Sequence, residues 1–184
     1  SAAALAGALG AALTAMVGSL TVGKKKYAEF DGLARETLEK AQDLEHRFLD
    51  VMQRDTEAFN AVSAVFALPK STEEEKAARS AAMQQALQGC TKTPFEMMEL
   101  SLEALRLTEG LVDRSNANAA SDLGCAALHL GCAIQGAWLN VLINLGSIRD
   151  VAFAAQYRTR GQILLDEALP LSQRIYGRIL EMVE

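Results

Sequence analysis

The chain has 184 residues, enough for one domain with a sizeable core, and its 23 acidic and 18 basic residues leave a net charge of −5. Half of it is hydrophobic, aromatics make up 5%, and only three prolines interrupt a sequence rich in strong helix formers, so an all-α protein is expected. The acidic balance excludes the electrostatic footprint of a nucleic-acid or anionic-membrane binder, and three cysteines suit free thiols in a reducing, cytoplasmic setting better than a disulfide framework.

The first predicted element is an uncharged helix over Ser1–Gly23, followed at once by Lys24-Lys25-Lys26. Its length and flank resemble a membrane span. Most of it is Ala, Gly, Ser and Thr, however, and small residues at helical spacing (Gly7, Ala11, Ala15; Gly10, Thr14, Gly18) let a second helix approach closely. No aromatic belts follow, so a buried helix of a soluble protein is the expectation, with no membrane partner. The lack of a basic leader argues against a signal peptide, and a chain that opens directly in helix implies a segment before Ser1. A second helix is expected from about Phe30 to Leu68, with the stripe Leu33, Leu44, Phe48, Met52, Phe59 and Phe66 facing the core. Leu68-Pro69-Lys70 ends it, and Thr72 with Glu75 forms a capping box for a third. That helix is expected to fade at Gly89, and Thr93-Pro94-Phe95-Glu96 reads as a new start, with Thr93 as N-cap and Pro94 in the first turn. Ser115–Asn118 reads as a turn, a long helix runs from Asp122 to about Gly146, and a last one runs from Asp150 to the end with a kink near Pro170. The pattern predicts one domain over 1–184, an up-and-down helical bundle of long helices.

Few residues offer chemistry. Cys125, His129 and Cys132 share a helical face, but the outer two are about 10 Å apart along the axis while Zn–S bonds are about 2.3 Å. Small buried thiols are the better account, and no metal site is expected. His46 sits in a charged turn and is expected in solvent. Asp55 falls on the apolar stripe of the second helix, where a carboxylate must be paired or hydrogen-bonded; a core ion pair and a functional role both fit. On the helix from Asp122, the residues Asp122, His129, Gly136, Asn140 and Asn144 form a polar line on an apolar background. Such a line serves interhelical hydrogen bonds or a ligand groove. Asp122 and Asn140 are about 27 Å apart on a straight helix, so they serve one site only if the helix breaks or a second subunit brings opposite ends together. Lys24, Lys25 and Lys26 either complement the end of the first helix or bind an anion.

Taken in order, Ser1-Ala2-Ala3-Ala4, Gly23-Lys24-Lys25-Lys26-Tyr27, Asp55…Ala58-Phe59, Leu68-Pro69-Lys70, Asn118…Ser121-Asp122-Leu123 and Asn140-Val141-Leu142-Ile143-Asn144-Leu145 resemble the cyclodeaminase/cyclohydrolase family of folate enzymes. In that family a glycine-rich segment precedes the Ser-Ala-Ala-Ala run. The resemblance implies an all-α homodimer acting on the one-carbon unit between N5 and N10 of tetrahydrofolate. It implies no cofactor beyond the tetrahydrofolate substrate itself. The expected activity is the cyclodeaminase reaction, 5-formiminotetrahydrofolate to 5,10-methenyltetrahydrofolate plus ammonia, with a separate glutamate formiminotransferase as possible partner. The alternative is the cyclohydrolase, which opens the methenyl bridge with water to 10-formyltetrahydrofolate; a non-catalytic helical adaptor is a third reading. Asp122 is the first candidate for moving the proton, Asp55 the second, and Lys24 a catalytic-site cation. Asn118, Ser121, Asn140, Asn144 and Lys25 are the expected substrate-binding residues. The adaptor reading has Asp122, Asn140 and Asn144 spent on internal hydrogen bonds.

Overall fold

The computed structural model describes all of residues 1–184 and contains five long α-helices. They are α1 Ala2–Thr21, α2 Asp31–Val65, α3 Glu73–Leu111, α4 Ala120–Leu145 and α5 Val151–Val183, with short 3-10 turns at Lys25–Phe30 and Ala117–Ala119. Each helix runs antiparallel to the one before it. Gly7 of α1 meets Phe48 of α2 while Gly18 meets Leu38, and Arg54 of α2 pairs with Glu96 of α3 while Arg47 pairs with Glu103. Asn144 of α4 meets Cys90 of α3, and Gly124 and Gly161 place α4 against α5 in reverse order. This is the expected up-and-down bundle. α1 lies between α2 and α4, α4 between α1 and α5, and α3 packs against all four. The apolar core, centred on Phe48, Met97, Met98, Leu105, Leu130 and Ile134, sits between them.

The small residues of α1 permit this closeness. A Cβ at Gly7 would overlap the ring of Phe48, and one at Gly10 would meet Leu130 of α4 at 2.6 Å. The hydroxyls of Thr14 and Thr108 join α1 to α3 at 2.8 Å, so a buried polar pair is satisfied without a charge.

One local expectation is corrected. α3 does not break at Gly89–Thr93; it is one helix of 39 residues with Pro94 inside it. Pro94 has no N–H for the carbonyl of Cys90, four residues earlier. Asn144 supplies the missing donor, its Nδ2 donating to Cys90 O at 2.7 Å. The capping box is real one helix start earlier, where Thr72 and Glu75 exchange hydrogen bonds. α5 is the single last helix that the sequence predicts from Asp150 onward, and the carbonyl freed by Pro170 belongs to exposed Asp166.

The stripe of α2 is core only in its first half. Leu44, Phe48 and Val51 are buried, but Phe59 and Phe66 are 66% and 65% exposed, because α2 and α3 project as a hairpin past the first residue of α1. The two uncharged helices are buried on one side only. Leu5, Leu9, Met16 and Leu20 of α1 and Leu128, Leu139 and Ile143 of α4 lie in solvent. Cys125 and Cys132 are exposed on that outer side of α4, so they are not the buried thiols expected; Cys90 alone is buried. His46 is in solvent as expected. Both α1 and Ala117–Leu145 are long and apolar enough to cross a membrane by length and composition, and both are packed into the bundle by their inner faces.

Candidate active site

The candidate residues gather at the two ends of the α1–α4 pair. At one end α1 stops at Thr21, and Gly23 turns the chain with φ +73, a left-handed conformation that favours glycine. The Gly23 N–H donates to Asp31 Oδ1 at 2.7 Å, and Arg35 pairs with the other oxygen at 2.7 Å. The Gly23 bond first, and Arg35 second, hold the Asp31 carboxyl below its usual range. This clasp fixes where Lys24 and Lys25 leave α1; both are exposed and neither forms an ion pair.

The turn before α4 is tied to the same corner. Asn116 donates its backbone N–H to Thr21 Oγ1 at 2.9 Å and its Nδ2 to Leu20 O at 3.2 Å. The Tyr27 hydroxyl accepts the Ala117 N–H at 2.9 Å, which is the main cause that draws its pKa down. Asn118 and Ser121 are exposed beside it, and Asn118 gives its N–H to Asn116 Oδ1 at 3.1 Å. Asp122 lies in the first turn of α4, half-buried, where the free N–H groups of a helix start favour negative charge. Its carboxylate is taken up by no hydrogen bond or ion pair. Asn116 and Tyr27 were not candidates by sequence; an Asn in a turn signals capping, and its grip on α1 needs the tertiary structure.

At the other end Asp55 of α2 faces α3 and the start of α1. Thr93 donates to Asp55 Oδ1 at 3.0 Å, and the backbone nitrogen of Ser1 is 3.9 Å from Oδ2. Thr93 thus holds a carboxylate rather than capping a helix. Cys90 is close by; burial first, and the Asp55 charge second, push its thiol pKa up. Asn144 reaches Cys90 O, whereas Asn140, one turn earlier, is exposed and makes no internal hydrogen bond. Of the three residues that an adaptor would spend internally, only Asn144 is spent.

α4 is unbroken from Ala120 to Leu145. Lys24, Lys25, Asn118, Ser121 and Asp122 therefore lie at one end, and Asp55, Asn140 and Asn144 at the other, about 27 Å away. One chain does not bring them together. Between the two clusters runs the uncharged outer face of α1 and α4.

The fold and much of the sequence are shared with known proteins. The profile of the formiminotransferase-cyclodeaminase family matches residues 1–162, and the chain belongs to that family. It is 40% identical over 182 residues to the methenyltetrahydrofolate cyclohydrolase of Methylorubrum extorquens, which covers 99% of this chain and 88% of that one. It is 34% identical over 179 residues to the formimidoyltransferase-cyclodeaminase of Sus scrofa, covering 97% of this chain but 33% of that protein. The crystal structure of formiminotetrahydrofolate cyclodeaminase from Thermotoga maritima superposes with a TM-score of 0.78 at 27% identity, over 98% of this chain and 84% of that one.

Proposed function

We propose that this chain is a cytoplasmic folate enzyme that opens the methenyl bridge of 5,10-methenyltetrahydrofolate with water, giving 10-formyltetrahydrofolate. The observation that carries the choice is the end-to-end similarity to a methenyltetrahydrofolate cyclohydrolase at 40% identity. The cyclodeaminase reaction is the second reading, favoured by the fold of the Thermotoga protein; a separate glutamate formiminotransferase would then supply its substrate.

Both reactions pass through a tetrahedral carbon between N5 and N10. In the hydrolytic direction water adds to the cationic amidinium carbon, loses a proton to a base, and the C–N5 bond breaks as N5 takes a proton; one proton is released overall. A carboxylate serves this sequence twice. It stabilises the cation electrostatically, and it carries the proton from the attacking water towards N5. Asp122 is assigned this role, since its carboxylate is free, half-buried and in the first turn of α4. Asn118, Ser121 and Asn140 offer paired donors and acceptors for the pterin edge, and Lys24 and Lys25 offer positive charge. Asp55, held by Thr93, is the second carboxylate, and Asn144 keeps a free amide oxygen after docking on α3. The reaction as written uses no metal or further cofactor.

The site is completed by a second copy of the chain. A two-fold axis crossing the outer face of α1 and α4 buries Leu5, Leu9, Met16, Leu139 and Ile143 and places Asp122 and Lys24 of one protomer at the end where its partner carries Asp55 and Asn140. An isologous interface requires such an antiparallel match, and the face carries the apolar surface that a stable dimer needs. Two assays test this. Purified protein is given 5,10-methenyltetrahydrofolate and 5-formiminotetrahydrofolate separately while methenyl absorbance and ammonia are followed; turnover of neither refutes both readings. Asp122→Asn and Asp55→Asn, each inactive alone, are then mixed under exchange. Half the dimers are mixed and each regains one intact site, so roughly a quarter of wild-type activity returns. Its failure to return refutes the shared site.

A further inference from the structure

Proline is the costliest residue inside a helix, and α3 and α5 each carry one. The two are accommodated differently. Pro170 frees the carbonyl of Asp166, an exposed residue, where water can serve it. Pro94 frees the carbonyl of Cys90, a buried residue, and a side chain from another helix serves that one: Asn144 Nδ2 donates to Cys90 O at 2.7 Å. Beside the proline, Thr93 donates its hydroxyl to Asp55 Oδ1 at 3.0 Å. The stretch of α3 from residue 90 to residue 94 thus orients an amide from α4 and a carboxylate from α2.

The sense of the Asn144 bond is fixed by chemistry. A carbonyl only accepts, so the amide can meet Cys90 only through its nitrogen; turned over, it would set two oxygens 2.7 Å apart with no hydrogen between them. Oδ1 must then face elsewhere. It accepts no bond from the chain, and no buried side-chain nitrogen or oxygen lacks a partner, so Oδ1 is open to solvent. An N–H at position 94 would give Cys90 O its helical donor and release the Asn144 amide to turn. Asn140, one turn earlier and without an internal bond, has that freedom already. Repair of a helix defect needs only the Asn144 nitrogen. What the arrangement adds is an oxygen held in one place, which is how a site selects a donor on its ligand at low ordering cost. The ring of a tetrahydrofolate carries such a donor, the 2-amino group, at its pyrimidine end, away from the N5–N10 bridge.

We propose that Pro94 is a positioning residue that acts through Asn144, holding its Oδ1 as the acceptor for the 2-amino group of the pterin ring and so setting the preference for a 2-amino-substituted ring, a proposal that rests on the folate reading above. The test takes the substrate that the turnover assay identifies and its 2-desamino-2-methyl analogue, and measures kcat and KM for both in wild type, Pro94→Ala, Asn144→Ala and the double variant. Wild type should show a KM about threefold to tenfold lower for the parent, the worth of one neutral hydrogen bond, with similar kcat because the 2-amino group is remote from the reacting carbon. Asn144→Ala should raise the KM of the parent to that of the analogue and leave the analogue where it was. Pro94→Ala keeps every atom of Asn144, yet it should lose most of the preference in the same way. The N–H of the new alanine serves Cys90 O, so the double variant stays informative if Asn144→Ala alone does not fold, and it should show no preference. Equal KM values in wild type, or a preference that the double variant retains, overturn the proposal, while turnover of the parent leaves the folate reading intact. A preference lost in Asn144→Ala but kept in Pro94→Ala overturns the role of Pro94. Turnover of no substrate by wild type removes the folate reading first, and this proposal with it.

Discussion

Removing the amide of Asn144 gives a stability cost that a second substitution should cancel. Pro94 leaves the Cys90 carbonyl without its helical donor, and Asn144 Nδ2 fills the gap at 2.7 Å. In Asn144→Ala that oxygen, on a residue 8% exposed, loses its partner, and an unsatisfied buried acceptor costs about 1–3 kcal/mol. Asn144 itself is half-buried, which admits some water, so a cost of about 1–2 kcal/mol is expected, or roughly a 3–6 °C fall in Tm for a chain of this size. Pro94→Ala restores an N–H at position 94, in register with Cys90 O in the i to i−4 ladder. In that background Asn144→Ala should cost less than about 0.5 kcal/mol, leaving a coupling of about 1 kcal/mol. Urea unfolding of the four proteins at one fixed protein concentration measures the cycle, since the proposed dimer would make stability concentration-dependent. Equal costs in the two backgrounds would show that Asn144 does not serve the orphaned carbonyl.

Asp122→Asn should lower turnover by about 10²-fold or more with an unchanged Tm, because the carboxylate has no partner within the chain; unfolding instead would make Asp122 structural. Gly7→Ala gains about 1 kcal/mol of helix propensity but drives a Cβ into the buried ring of Phe48, an overpacking that costs about 1–3 kcal/mol; a raised Tm would contradict the close approach of α1 and α2. The Asp31 carboxyl titrates below its ordinary 3.8, so its stabilisation is complete above the unfolded value and is lost as pH falls through the lower folded value. The Tm of wild type and Asp31→Asn should accordingly differ at neutral pH and converge as pH drops below about 4. For the proposed dimer, Ile143→Glu should give monomers in sedimentation and should speed alkylation of Cys125 and Cys132, which share the outer face of α4, while Cys90 stays slow because it is buried and because burial first, and the Asp55 charge second, push its thiol pKa up.

Composition and periodicity were sufficient for the helical class, the up-and-down bundle of long helices and the polar line along α4, because these depend on side chains a few residues apart. The 27 Å that separates Asp122 from Asn140 was legible too, since helix rise depends on nothing but residue count. The helix boundary at Thr93-Pro94 was not. Those residues carry every local mark of a helix start, and the break is avoided by Asn144, a donor 54 residues away. Nor could sequence tell which side of an uncharged helix is core. α1 is uncharged and α4 nearly so, so charge does not mark the outer face, and only the positions of α2, α3 and α5 decide which leucines stay in solvent.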